Sequence, residues 1–149
     1  MSDAGGVRVA LRQTTVADAE YCFRLHEDTL GPYVDRIWGW DEAEQRARFA
    51  FSAARTQIIT ADGIDAGSLI VETRPEEIYL GRIEIHPDYQ SRGIGGHVVR
   101  TLVAQATERG LPVVLDVLAV NVRAKAFYER LGFVEIGRPA EHKIRLRHG

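Results

Sequence analysis

The sequence predicts an α+β fold, and three observations carry the prediction. Gln57–Thr60 and Ala66–Thr73 flank Ala61-Asp62-Gly63, a two-strand pattern around a tight-turn signal. Ile94, Val98, Val99, Leu102, Val103 and Ala106 recur at helical spacing and share one face. Strands follow strands in the middle of the chain before a helix intervenes, so the order is not a run of β-α-β units.

Each element can be justified in order. Val7–Arg12 alternates apolar and polar residues as a half-buried strand does. Thr15 with Asp18 has capping-box spacing and opens a first helix, in which Ala19, Cys22, Phe23, His26 and Leu30 share a face; Gly31-Pro32 is expected to end it. Tyr33–Trp40 is aromatic but fits neither period. Asp41 with Glu44 starts a second helix, with Ala43, Ala47, Ala50, Phe51 and Ala54 expected to face inward. After the hairpin, Arg74-Pro75-Glu76-Glu77 turns the chain into a strand over Ile78–His86. Gly110 and Pro112 stop the third helix, and Val113–Ala119 reads as an interior strand interrupted only by Asp116. A short helix spans Asn121–Leu131 with Gly132 behind it. Phe133–Gly137 and His142–Arg147 complete the sheet, the latter alternating His142, Ile144 and Leu146 against Lys143, Arg145 and Arg147.

Bulk properties narrow the function classes. A chain of 149 residues fits one domain, expected over 1–149, and can bury a sizeable core. A formal charge of −2 gives no basic footprint for nucleic acid or anionic lipid. Neither a signal peptide nor a membrane span is read from the chain, so the expected location is cytoplasmic. Cys22 is the single cysteine, which excludes an internal disulfide; on the helix face it reads as a buried structural thiol rather than a nucleophile. The five histidines show no metal-ligand pairing, and no metal is expected.

Gln90-Ser91-Arg92-Gly93-Ile94-Gly95-Gly96 stands between a strand and a helix. Amides at a helix start lack intrahelical partners and carry partial positive charge, so the segment can cradle a diphosphate. The glycines at 93, 95 and 96 clear the approach, and Arg92 can add a charge-assisted contact. The plainer reading of such glycines is a turn. A second block, Asn121-Val122-Arg123-Ala124-Lys125-Ala126-Phe127-Tyr128-Glu129-Arg130-Leu131-Gly132-Phe133, lies downstream.

Together these two blocks resemble the acetyl-CoA motif and the later Asn…Ala…Phe-Tyr-Glu-x-Leu-Gly-Phe signature of the GNAT superfamily of N-acetyltransferases, over about Tyr79 to Ile136. The resemblance implies the GNAT fold, a mixed and mostly antiparallel sheet flanked by helices. It implies acetyl-CoA as cosubstrate, held by Ile85, His86, Gln90–Gly96, Asn121 and Tyr128, with the strands at Ile78–His86 and Val113–Ala119 parting around the pantetheine arm. A bulge there would turn the backbone amides of Glu84, Ile85 and His86 toward the acetyl carbonyl.

Amine acetylation needs a neutral amine, alignment, support for an oxyanion and a proton for the departing thiolate. Tyr128 matches the signature tyrosine near the sulfur, a proton donor; otherwise it is a packed aromatic. Asn121 caps a helix and matches a contact to the CoA arm. Asp116 aligns with the carboxylate that some ribosomal-protein N-terminal acetyltransferases use to reach a water; the other reading is an aspartate paired with an arginine. Glu84 competes as the base and as an acceptor contact. The glutamate of histone-type members corresponds to Tyr79, so that assignment does not transfer. Tyr33, Trp38 and Trp40 are expected to wall the acceptor site, with Glu27, Asp35 or Asp41 attracting an ammonium; otherwise the segment folds over the core. His26 reads as a satisfied helix-face histidine rather than a base.

The expected partner is a small-molecule or protein amine, acetylated by direct transfer, and a homodimer is compatible with this reading. An acyl-CoA-binding regulatory module without turnover is the alternative.

Overall fold

The computed structural model describes residues 2–149. Its strands are β1 (Ser2–Ala4), β2 (Val7–Gln13), β3 (Thr56–Ala61), β4 (Ile64–Thr73), β5 (Ile78–Ile85), β6 (Val113–Leu118), β7 (Val134–Ala140) and β8 (Lys143–His148). The helices are α1 (Ala19–Trp38), α2 (Glu42–Phe49), α3 (Ile94–Glu108) and α4 (Val122–Arg130). Strands hydrogen-bond in the order β1-β2-β3-β4-β5-β6-β8-β7. The pairs β1–β2, β2–β3, β3–β4, β6–β8 and β7–β8 are antiparallel, whereas β5 and β6 run parallel. The expected mixed, mostly antiparallel α+β sheet is present. By its internal contacts the chain divides into two compact units, one comprising the chain to Ile70 with Arg82–His97, the other Val71–Gly81 with Val98–Gly149.

In the first unit, Thr15 and Asp18 form the expected capping box, which opens a 3-10 turn at Val16–Asp18 leading into α1. Arg12 on β2 ties this start down, bonding Asp18 at 2.9 Å and Asp65 of β4 at 2.8 Å. One expectation fails here: α1 does not stop at Gly31-Pro32 but continues to Trp38. An interior proline removes a ladder donor and costs on the order of 3 kcal/mol. Burial offsets that cost, because Val34 continues the buried face of Cys22, Phe23, Leu25 and His26. The ring of Trp40 also lies against Gly31, 3.6 Å from where a β-carbon would stand. Gly39, with φ of 79°, ends the helix.

Asp41 caps α2 by accepting from the Glu44 amide at 2.9 Å. The inward alanine face is not realised: Ala43 and Ala47 are exposed, and α2 ends at Phe49, before Ala50 turns left-handed with φ of 47°. Phe49 supplies the packing instead, edge-on to Phe23 at 5.5 Å. The β3–β4 hairpin turns through Asp62 and Gly63 at φ of 50° and 81°, as the Asp-Gly signal required. Ile58 and Ile59 are both fully buried, so β3 is covered on both faces. Gly67 of β4 lies so close to β5 that an added methyl would collide with the Glu84 carbonyl.

In the second unit, Val113, Val114 and Leu115 are consecutive buried residues of β6, the pattern of a strand covered on both sides. The parallel ladder with β5 is short, pairing Ile78 with Val113 and Tyr79 with Val114. Ile144 and Leu146 alternate inward along β8 as expected. Tyr128 and Phe133 meet edge-on at 5.5 Å, and Gly132 makes the intervening turn at φ of 94°. The hairpin between β1 and β2, through Gly5 and Gly6 at φ of 58° and 85°, was not expected from the sequence.

Candidate active site

The Gln90–Gly96 segment leaves β5 through a 3-10 turn at Pro87–Tyr89 and becomes the first turn of α3. Two left-handed residues shape it, Ser91 at φ of 62° and Gly93 at 82°. Nothing stands within 4 Å of a β-carbon position at Gly93, so the approach is open. The first ladder bond of α3 runs from the His97 amide to the Gly93 carbonyl at 3.0 Å. The amides of Ile94, Gly95 and Gly96 precede it and have no carbonyl behind them in the helix, as an anion cradle requires. Ile94 is buried to 1 % exposure, so its side chain anchors the helix while its amide faces the turn. The Gln90 side chain donates to the Ile85 carbonyl at 2.9 Å, fixing the loop on the end of β5. Arg92 is exposed, its guanidinium over the Tyr89 ring at 5.3 Å. These residues fit a diphosphate-bearing cosubstrate.

His86 departs from its expected role. Its amide donates to the Ala66 carbonyl at 2.8 Å, so it is spent on the strand pair rather than turned toward an acetyl group. Its imidazole accepts from the Asp88 amide at 3.1 Å and caps the 3-10 turn.

Beside this strand end lies a buried pair. His26 Nδ1 on α1 is 2.7 Å from Glu84 Oε2 on β5, and the two side chains are 9 % and 6 % exposed. Glu84 Oε1 is buried with no hydrogen-bond partner. The nearest cation, Arg82 Nε, is 4.0 Å away, beyond hydrogen-bond reach. A buried carboxylate oxygen without a donor is costly, so it is a natural acceptor for an incoming N–H. The imidazole is flanked by Phe49 at 5.3 Å and Trp40 at 6.2 Å between ring centres. His26 is thus satisfied, as expected.

Cys22 is 1 % exposed, and burial, with the nearby acids, pushes its thiol up to about 11. That is a structural thiol. Burial also raises the Tyr21 phenol to about 12, and its hydroxyl has no partner.

The three aromatics expected to wall the acceptor site differ in their settings. Trp38 is 59 % exposed, Tyr33 is half-buried on α1, and Trp40 packs on Phe23 while its indole N–H donates to Glu27 at 3.1 Å. Asp35 accepts from the Trp40 amide, and Asp41 is the α2 cap, so the three acids proposed to attract an ammonium are engaged in shaping the segment. A cavity of about 240 Å³ opens instead beside Phe49, with Cys22, Ser68, Arg48, Arg55 and Arg82 among its walls. None of Tyr33, Trp38 and Trp40 lines it.

In the second unit, Asp116 takes its ion-paired reading. Arg145 holds both carboxylate oxygens, at 2.9 and 3.1 Å, and Tyr79 donates to Oδ2 at 3.3 Å. Burial pushes Asp116 up, but the Arg145 hydrogen bonds and charge outweigh it and hold the group below the usual carboxylate range. So committed, it is a weak proton acceptor. Asn121 caps α4 by accepting from the Ala124 amide at 3.1 Å. Tyr128 is buried to 8 % exposure between Phe127 and Phe133.

The mixed sheet with a glycine-opened helix after β5 is an arrangement shared with solved acetyltransferase structures. The model of the acetyltransferase (GNAT) family matches residues 19–133, and the chain belongs to that family. The [Ribosomal protein bS18]-alanine N-acetyltransferase of Escherichia coli K12 is 36 % identical over 105 residues, covering 70 % of this chain and 66 % of that protein, just under two thirds of its length. The N-alpha-acetyltransferase RimI of Mycobacterium tuberculosis is 29 % identical over 132 residues, 87 % of this chain and 80 % of its own. Among solved structures, PaiA N-acetyltransferase from Thermoplasma acidophilum in complex with coenzyme A superposes with a TM-score of 0.74 at 15 % identity, covering 94 % of this chain and 98 % of that one.

Proposed function

We propose that the chain acts as one domain that transfers an acetyl group from acetyl-CoA to a primary amine by direct attack. The observation that carries this is the open turn at Ser91–Gly93, followed by three helix-start amides without carbonyls behind them, in a member of the GNAT family. Similarity to a ribosomal-protein alanine N-acetyltransferase and an N-alpha-acetyltransferase supports an amine as acceptor. Main-chain amides hold the diphosphate, and Arg92 adds charge from solvent.

Of the two carboxylates, Glu84 suits the base better. Asp116 is neutralised by Arg145, whereas Glu84 keeps one oxygen unpaired in a dry setting. In the proposed reaction Glu84 Oε1 takes a proton from the amine, the nitrogen bonds to the thioester carbon, and the C–S bond breaks. His26 holds Oε2 and so orients the free oxygen. Tyr128, by its place in the signature, gives the leaving thiolate its proton, and Asn121 serves the CoA arm alongside its cap. The amide of Ile85 is the donor of choice for the acetyl oxygen, since that of His86 is occupied.

Calorimetric titration with acetyl-CoA, followed by thiol release across an amine panel, tests this reading. Saturable binding with amine-dependent release is expected. Binding without release on any amine would instead leave an acyl-CoA-binding module, and no binding would end the proposal.

A further inference from the structure

The cavity beside Phe49 has a chemistry of its own. Three guanidinium-bearing residues, Arg48, Arg55 and Arg82, contribute to its walls, and no aspartate or glutamate does. Arg82 is oriented by stacking over the Phe49 ring at 4.8 Å. Among the described residues its guanidinium makes no hydrogen bond to a protein group, and its nearest carboxylate oxygen is the one 4.0 Å off on Glu84. Arg48 pairs with Glu44 at 3.0 Å, but its side chain is 72 % exposed, so that pair is readily exchanged. The rest of the wall is mixed: Phe49 and Cys22 are apolar, and Ser68 adds a buried hydroxyl-bearing residue.

We infer that this cavity binds the carboxylate of an amine acceptor that is itself acidic. The inference rests on the N-acetyltransferase reading and names its acceptor class. A stacked arginine with its fork unused matches a planar carboxylate in two parallel bonds. The partly apolar wall favours a carboxylate on a short carbon chain over the more strongly hydrated phosphate. Residues 82 and 84 project from the same face of β5, because side chains alternate along a strand. A carboxylate held at Arg82 therefore leaves the amine end of the same molecule within range of Glu84. Glu27, Asp35 and Asp41, expected to attract an ammonium, do not oppose this, because they are used within the fold.

Ligand-observed NMR on the whole chain, with glutarate, glutaramide and inorganic phosphate as probes, tests the cavity without acetyl-CoA. Glutarate should bind about ten-fold more tightly than glutaramide, the size of one charge-assisted fork, and Arg82→Gln should remove the difference. Thiol release from acetyl-CoA with glycylglycine against glycylglycinamide tests the acceptor. The kcat/KM ratio should favour the free acid about ten-fold and fall toward one in Arg82→Gln. Should Arg82→Gln fail to fold, Arg48→Gln at the exposed rim should still lower glutarate affinity about three-fold. Equal binding of glutarate and glutaramide, tighter binding of phosphate, or an unchanged acceptor ratio in a folded Arg82→Gln protein would overturn the inference. If acetyl-CoA binds and amines are acetylated without such a preference, only the acceptor class is wrong; if thiol release is absent while glutarate still binds, the N-acetyltransferase reading fails and the cavity stands as an acid site of another activity.

Discussion

His26 and Glu84 share a hydrogen bond of 2.7 Å in the interior, and the carboxylate oxygen not used in that bond has no donor. The pair joins α1 to the end of β5, the strand whose last carbonyl is bound by Gln90 of the glycine turn. A carboxylate so placed is both fixed in direction and short of a partner, as the proposed base requires.

Glu84→Gln should therefore lower kcat by about 10²-fold or more, the usual worth of a positioned base, with acetyl-CoA affinity near normal. His26→Gln should lower kcat less and leave the KM for acetyl-CoA unchanged, since it acts through Glu84. Steady-state kinetics on both variants check this. An unaltered kcat in a folded His26→Gln enzyme would assign the histidine to packing alone.

Gly93→Asp should weaken acetyl-CoA binding by about 100-fold, because it adds negative charge to the cradle. It also forces a side chain onto a φ of 82°. Gly93→Ala separates the effects: space is open there, so only the backbone strain of about 1 kcal/mol remains. Calorimetry on both variants gives the comparison.

Tyr128→Phe should reduce turnover by about 10²-fold with little change in acetyl-CoA affinity, provided the phenol protonates the thiolate. A more reactive thioester with a better leaving thiolate should suffer less from the substitution. Equal losses on both thioesters would point to packing between Phe127 and Phe133 instead.

The Asp116–Arg145 pair makes an acid-stability prediction. Because the folded pKa is depressed, the stabilisation is present above the unfolded value of about 4 and is lost as pH falls through the lower folded value. Arg145 is 40 % exposed, so solvent screening limits the pair to about 1 kcal/mol. Asp116→Asn should thus melt lower at pH 7 and lose part of the wild-type dependence below about pH 4, as thermal melts over an acid series would show.

Cys22 should resist alkylation in the folded protein at pH 8 and react on unfolding. Its thiol is buried and pushed up to about 11, so little thiolate forms. Mass spectrometry after iodoacetamide treatment with and without denaturant reads this directly.

The glycine turn, the helix behind it and the alternating β8 were legible because each obeys a local rule: left-handed backbone at Gly93, period 3.6 from Ile94, period 2 through Ile144 and Leu146. Helix α1 was misread at its end because Pro32 is a strong local stop signal, and the burial that overrides it comes from Val34 and from Trp40, eight residues further on. The face of α2 was misassigned for a related reason: a helix with no buried side chain has no inward stripe to find, and Phe49 packs from its last position.

At the site, Glu84 was identifiable as a carboxylate next to the turn, but its partner was not. His26 lies 58 positions away in sequence, and only the pairing of α1 with β5 brings them together. Arg82 was missed although period 2 puts it on the face of Glu84. Its significance depends on Phe49 beneath it and on Arg48 and Arg55 from other segments. Asp116 was ambiguous between two roles until the register of β6 on β8 set Arg145 opposite it.

Pro32 carries one more consequence. Having no N–H, it leaves the Asp28 carbonyl without its rung, so the turns from Tyr33 to Trp38 are joined to the rest of α1 by a weakened seam. That end should breathe on its own, trading amide hydrogens with deuterated solvent sooner than Cys22–Leu25 does. Pro32→Ala should slow the exchange and merge the two rates.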